Sequence, residues 1–200
     1  MVRKGLLLVL SGPSGAGKGA VCKELQKDEP SLSVSISATT RPPRDGEAEG
    51  VDYFFLGKEV FQKMIADGQL LEYAQVYDNY YGTPLRYVEE ALEAGRDIIL
   101  EIDIQGALQV KEKYPQAVLV FIASPSKLDL RKRLLSRGTD KQEVIEKRLQ
   151  SVAGEMKLAD RYDYIVINDI VTQAVGKIRS IITAEKSRPC YFKSFINEFN

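Results

Sequence analysis

Leu6-Leu7-Leu8-Val9-Leu10-Ser11-Gly12-Pro13-Ser14-Gly15-Ala16-Gly17-Lys18 is the stretch that decides the fold. Its opening Leu/Val run shows no alternation, which suits a strand buried on both faces of a parallel sheet. Gly12 to Lys18 then fits the pattern G-x-x-x-x-G-K. Glycines let the backbone curl until several N–H groups point at one anion, and the helix that follows adds its positive end. Lys18 brings a point charge to the terminal phosphates. Strand, loop and helix together predict a site for a nucleoside triphosphate built from Gly12, Pro13, Ser14, Gly15, Ala16, Gly17, Lys18 and Gly19. The position after the lysine normally carries Ser or Thr, whose hydroxyl helps to hold Mg²⁺. Here Gly19 and Ala20 stand there, and neither offers a hydroxyl.

Outward from the loop, the chain has 200 residues, with 28 Lys+Arg balanced by 28 Asp+Glu. A net charge of zero argues against general nucleic-acid binding, which needs an excess of cations. Hydrophobic residues make up 44% and charged residues 28%, a composition that folds around a core. There are no histidines, which removes Ser-His-Asp and Cys-His catalysis and histidine-ligated metals. Cys22 and Cys190 have no ligand-type spacing, so the expected compartment is a reducing cytoplasm. The apolar run at Leu6 is too short for a signal sequence, and no stretch is long enough to cross a membrane.

Further along, apolar runs at Ile98–Ile104, Val118–Ile122 and Tyr164–Ile167 predict more buried strands. They alternate with helical stretches at Lys18–Lys27, Gly106–Lys113, Lys127–Leu135, Glu143–Leu158 and Val171–Glu185. That alternation predicts right-handed crossovers and a parallel sheet with helices on both faces. Between them lies a tyrosine-rich part of different character. It has expected strands at Val34–Ser37, Asp52–Leu56 and Leu70–Tyr77, and helices at Lys58–Ala66 and Leu85–Ala94. The polar piece Ser136–Lys141 sits between charged helices, where a mobile cover is expected. The tail Lys186–Asn200 carries Phe192, Phe195, Ile196 and Phe199, which suit packing on the body or on a partner.

Ser37-Ala38-Thr39-Thr40-Arg41-Pro42-Pro43-Arg44 holds a pair of arginines beside a pair of prolines. The prolines restrict the backbone, and planar guanidinium forks grip a phosphate by paired hydrogen bonds. Glu101 and Asp103 alternate with Leu100, Ile102 and Ile104, which predicts one strand face near the C-terminal end of a parallel strand, where ligands gather in open α/β sheets. Acids on so apolar a strand are costly as core filling. Taken alone, Tyr53 and Tyr81 also read as core aromatics, and Glu72 as a solvated strand residue.

At this point the sequence resembles guanylate kinase. The resemblance runs from Gly5 to Glu185 through several motifs in order. They are the loop Gly12–Gly19, Ser37-x-x-Thr-Arg41-Pro-x-Arg44, Gly50-x-Asp52-Tyr53-x-Phe55 and Leu71-Glu72-Tyr73-Ala74. Then come Asn79-Tyr80-Tyr81-Gly82-Thr83, Glu101-Ile102-Asp103-Ile104-Gln105-Gly106, Arg137-Gly138-Thr139 and Ile167-Asn168-Asp169. It implies a P-loop NTPase fold of class α/β: a parallel sheet flanked by helices, a mixed α/β nucleotide-binding insert and a short lid. The implied boundaries are a core of 5–36, 96–125 and 160–185, a GMP-binding insert of 37–95, a lid region of 126–159 and a tail of 186–200.

The resemblance implies ATP-dependent phosphorylation of GMP, and of dGMP, with Mg²⁺ as cofactor. It implies Arg41, Arg44, Tyr53 and Tyr81 on the GMP phosphate, and Ser37, Glu72, Thr83 and Asp103 around the guanine. It implies Arg133, Arg137 and Arg148 as arginines reaching ATP and the transferring phosphate, and Asn168 near the adenine. Lys18, Arg41, Arg137 and Arg148 are the expected catalytic set, and Glu101 the expected metal residue, acting through water. Expected partners are the small molecules GMP and ATP, with no nucleic acid and no membrane. Nothing in the sequence specifies an oligomeric state. The alternatives are a non-catalytic guanylate-kinase-like module that binds phosphorylated peptides, and a kinase for another monophosphate. The intact loop with Lys18 argues against the first, and Glu72 with Asp103 against the second.

Overall fold

The computed structural model describes residues 5–76, 78–136 and 142–199. Strand β1 (Leu7–Ser11) is buried along its whole length, as its unbroken apolar run requires. It lies at the centre of a five-stranded sheet ordered β2-β7-β1-β8-β9. The others are β2 (Ser33–Val34), β7 (Ile98–Glu101), β8 (Val118–Ala123) and β9 (Tyr164–Ile167), and every pairing is parallel. Alternate residues of the same strand feed opposite layers. Leu8 and Leu10 pack with Val120 and Ile122 against α1 (Lys18–Asp28) and α7 (Val171–Lys186). Leu7 and Val9 pack with Leu100 and Leu119 against α3 (Leu85–Glu93) and α4 (Ile104–Lys113). Each fully buried Leu contributes about 1.5–3 kcal/mol by leaving water, so this double-sided core is the main source of stability.

A second sheet, ordered β4-β3-β6-β5, is mixed. It is built from β3 (Ala38–Thr39), β4 (Phe54–Phe55), β5 (Leu70–Val76) and β6 (Asn79–Pro84). Helix α2 (Lys58–Ala66) covers it and has the limits its sequence predicts. Its small core gathers Ala38, Phe61 and Leu70, with the Phe61 and Tyr80 rings stacked at 5.5 Å. Two further helices, α5 (Lys127–Ser136) and α6 (Gln142–Lys157), share a cluster of Leu130, Leu134, Ile145 and Leu149. The C-terminal α8 (Lys193–Asn197) leaves Phe195 and Phe199 exposed, ring against ring at 5.0 Å.

Several expected strands are corrected. Val34–Ser37 is not one strand: the chain leaves the parallel sheet after Val34 and joins the second sheet at Ala38. Asp52–Leu56 shortens to Phe54–Phe55, while β6 forms where no strand was expected. The run Ile98–Ile104 is interrupted. β7 ends at Glu101, and Asp103 becomes the N-cap of α4, its Oδ1 accepting the Gly106 N–H at 2.8 Å. Capping satisfies one of the orphan N–H groups of the helix start, which wins over strand continuation. Glu101 and Asp103 therefore do not share a strand face.

Candidate functional site

A cavity of about 740 Å³ opens at the C-terminal edge of the parallel sheet, between the two sheets and α6. Gly12, Ser14 and Lys18 line it from the loop after β1, and Arg148 and Ser151 from α6. Ser37, Tyr53, Glu72, Tyr81, Glu101 and Asp103 line it from the other elements. Residues read far apart in the sequence thus meet in one space.

The loop is shaped by glycines at 12, 15 and 17, with φ of 141°, 87° and 88°. A Cβ on Gly17 would lie 2.5 Å from the Asn168 Nδ2, so glycine is also needed there for space. Lys18 Nζ donates to the Gly12 and Pro13 carbonyls at 2.7 and 3.3 Å, keeping its charge over the loop. Arg148 crosses from α6 to donate to Ser14 Oγ at 3.1 Å. Arg133 is tied behind the loop, donating to the Asn168 carbonyl at 2.8 Å. Asn168 is buried, 1% exposed, and its Nδ2 donates to the Ala16 carbonyl at 2.8 Å. It braces the loop from beneath. Arg137 lies outside the described residues.

The opposite end is carved around Glu72, only 3% exposed. Glu72 faces Thr83 across the β5–β6 pairing, and its Oε1 accepts the Thr83 hydroxyl at 2.7 Å. Burial pushes its carboxyl up to about 7, and the nearby Asp103 adds to the rise. Tyr53 and Tyr81 meet edge to face at 6.2 Å. Burial raises the Tyr53 phenol above its usual range. The Arg41 guanidinium lies over the Tyr53 ring at 5.4 Å, and neither Arg41 nor Arg44 lines the cavity itself. Arg41 also donates twice to Glu47 at 2.9 Å, and this bond holds its own pKa up and that of Glu47 down. Arg44 is exposed on the same turn, with its backbone N–H on Glu47.

Sequence reasoning missed Glu47, Gln75, Ser151 and Glu155. Arg148, Ser151 and Glu155 fall at i, i+3 and i+7, one helix face, which was a usable signal. Glu155 accepts the Ser151 hydroxyl at 2.9 Å through Oε1, while its Oε2 is buried with no partner among the described residues. No helix of the described residues is long and apolar enough to cross a membrane. Chemically, the site offers cations and backbone N–H groups at one end, carboxylate acceptors at the other and an arginine-bearing turn beside Tyr53. It suits a ligand pair with phosphates between them.

Comparison with known proteins places the chain beside one family. A family model described as guanylate kinase matches residues 4–185. A guanylate kinase of Desulfitobacterium hafniense is 54% identical over 184 residues, covering 92% of each chain. One of Clostridioides difficile is 49% identical over 197 residues, covering 98% of this chain and 96% of the relative. The crystal structure of guanylate kinase from Anaplasma phagocytophilum superimposes with a TM-score of 0.79 at 32% identity. It covers 94% of this chain and 90% of the other.

Proposed function

The chain belongs to the guanylate kinase family, and we propose how its own residues divide the work of that reaction. The enzyme moves the terminal phosphoryl group of ATP to GMP, giving ADP and GDP. The observation that carries our reading of the acceptor end is the buried carboxylate of Glu72, held by Thr83 in the same cavity as Lys18. Guanine offers N1–H and a 2-amino group side by side, and a carboxylate offers matching acceptors. Adenine has an acceptor at N1, which would face the carboxylate oxygens and leave them unsatisfied. Asp103 and Ser37 complete the base pocket. Arg41, Arg44, Tyr53 and Tyr81 hold the acceptor phosphate, and dGMP fits the same contacts. The 37–95 insert forms most of this pocket, and the 126–159 region, including Arg137, serves as the lid over ATP.

At the donor end, the loop N–H groups and Lys18 hold the triphosphate, with Arg133 and Asn168 keeping the loop in shape. Arg148 and Arg137 neutralise charge on the group in transit. The acceptor oxygen is already anionic, so no general base is needed, consistent with a chain without histidine. Rate then comes from in-line placement and charge neutralisation. Closure of the lid keeps water from taking the phosphoryl group.

The donor end also fits Mg²⁺. Glu101 is exposed at the end of β7, and its Oε1 stands 3.4 Å from where a Cβ on Gly19 would be. A hard oxygen donor thus borders the position that lacks the usual hydroxyl, and Glu101 would hold the ion through water, as Mg²⁺ prefers. Bound there, Mg²⁺ would supply charge neutralisation on the donor phosphates. The reaction suits the cytoplasm, where its nucleotides are. The phosphopeptide-binding alternative has no support among the relatives.

Crystals soaked with GMP and a non-hydrolysable ATP analogue test this reading. Glu72 is expected on the guanine N1 and N2, and Arg41 and Arg44 on its phosphate. Arginines far from any ligand would overturn the phosphate assignment.

A further inference from the structure

We infer that Gly106 is a specificity-determining residue, because the room left by its missing side chain is where the Glu72 carboxylate stands. This rests on the reading of Glu72 as the residue that selects guanine. Gly106 lies in the first turn of α4 and is not among the glycines with positive φ. The backbone therefore does not demand glycine, and glycine costs a helix about 1 kcal/mol relative to alanine. What glycine provides is space. A Cβ at 106 would fall 2.2 Å from Glu72 Oε2 and 2.9 Å from its Cδ, well inside contact distance. On its other side, Glu72 is pinned by the Thr83 hydroxyl at 2.7 Å. A methyl group at 106 must therefore push the carboxylate from its place beside Thr83.

The same residue also fixes the second acid. The Gly106 N–H donates to Asp103 Oδ1 at 2.8 Å. Both carboxylates assigned to the base thus take their positions from one residue, Asp103 by a donor and Glu72 by a vacancy in the side-chain layer. Alanine preserves the donor and fills the space, so Gly106→Ala tests the spatial role alone.

The test is a double-mutant cycle of Gly106→Ala with Glu72→Ala, followed by kcat/KM for GMP and by calorimetric ATP affinity. In the parent background Gly106→Ala is expected to lower kcat/KM for GMP roughly 100-fold, as a misplaced contact does, chiefly through KM. ATP affinity stays unchanged. In the Glu72→Ala background, the same change costs less than about threefold, because the clash partner is gone. Equal losses in both backgrounds, or no loss in the parent, would overturn the inference and leave Glu72 as the reader. If Glu72→Ala alone left GMP use intact, the reading of Glu72 itself would fall. Should Gly106→Ala prevent folding, restoration of folding by Glu72→Ala would support the steric link, and continued misfolding would overturn it.

Discussion

Arg41 and Glu47 are joined by paired hydrogen bonds of 2.9 Å each, guanidinium fork to carboxylate. The same carboxylate accepts the Arg44 backbone N–H at 2.8 Å, so one acid closes the turn that carries both arginines. Such a pair adds little stability where it is partly solvated, and its value is orientation. Glu47→Ala is expected to raise the KM for GMP about tenfold, because Arg41 loses its fixed direction over Tyr53. The KM for ATP should not move. Tighter GMP binding in steady-state kinetics would mean that Glu47 competes with the phosphate instead of aiming the arginine.

Glu72 gives a pH dependence with a definite sign. Its folded-state pKa of about 7 lies above the ordinary 4.5 because burial penalises the charged form. The folded protein therefore binds more protons than the unfolded chain between those values, and stability falls as pH rises through that window. Glu72→Gln should be more stable than the parent at pH 8, by on the order of 1–3 kcal/mol, and equal to it near pH 4.5. Thermal melts at both pH values check this. Guanine binding wants the ionised form, so kcat/KM for GMP should rise through pH 7 in the parent. The same profile in Glu72→Gln would assign the limb to another group.

Lys18→Ala separates the two ends of the cavity. Lys18 lies in the donor loop, with its Nζ on the Gly12 and Pro13 carbonyls at 2.7 and 3.3 Å. Transfer should fall at least 100-fold while calorimetric GMP binding stays near the parent value. Lost GMP binding with retained turnover would contradict the division.

Asn168 makes the fourth test. Its Nδ2 bond to the Ala16 carbonyl, and its place 2.5 Å from where a Cβ on Gly17 would be, put it under the loop. Asn168→Ala leaves the Ala16 carbonyl only the longer Arg133 donor at 3.4 Å and should cost about 0.5–1.5 kcal/mol of stability. It should also raise the KM for ATP. Unchanged melting with a raised KM would favour direct contact with the adenine over bracing.

The parallel core was readable because its signals are local. A two-sided strand needs a continuous apolar run, and the phosphate loop needs glycines at set positions. The second sheet was harder to read because β3 and β4 have only two residues each and take their partners from distant chain. The pair Glu101 and Asp103 shows the limit of periodicity. Their spacing suggested one strand face, yet a capping bond ended the strand between them. Both acids still reach the cavity, by different routes. Glu47 and Gly106 were not legible because the bond of one to Arg41 and the space the other leaves beside Glu72 depend on how the chain folds around them.

A buried carboxylate, Glu72, selects guanosine monophosphate as acceptor in this proposal. The most direct measurement is ADP release from ATP and Mg²⁺ with GMP, AMP, UMP or CMP supplied in turn to the purified protein. Rapid turnover is expected with GMP, and at least ~10³-fold lower kcat/KM with AMP. Comparable rates with AMP and GMP, or no turnover with GMP, would contradict it.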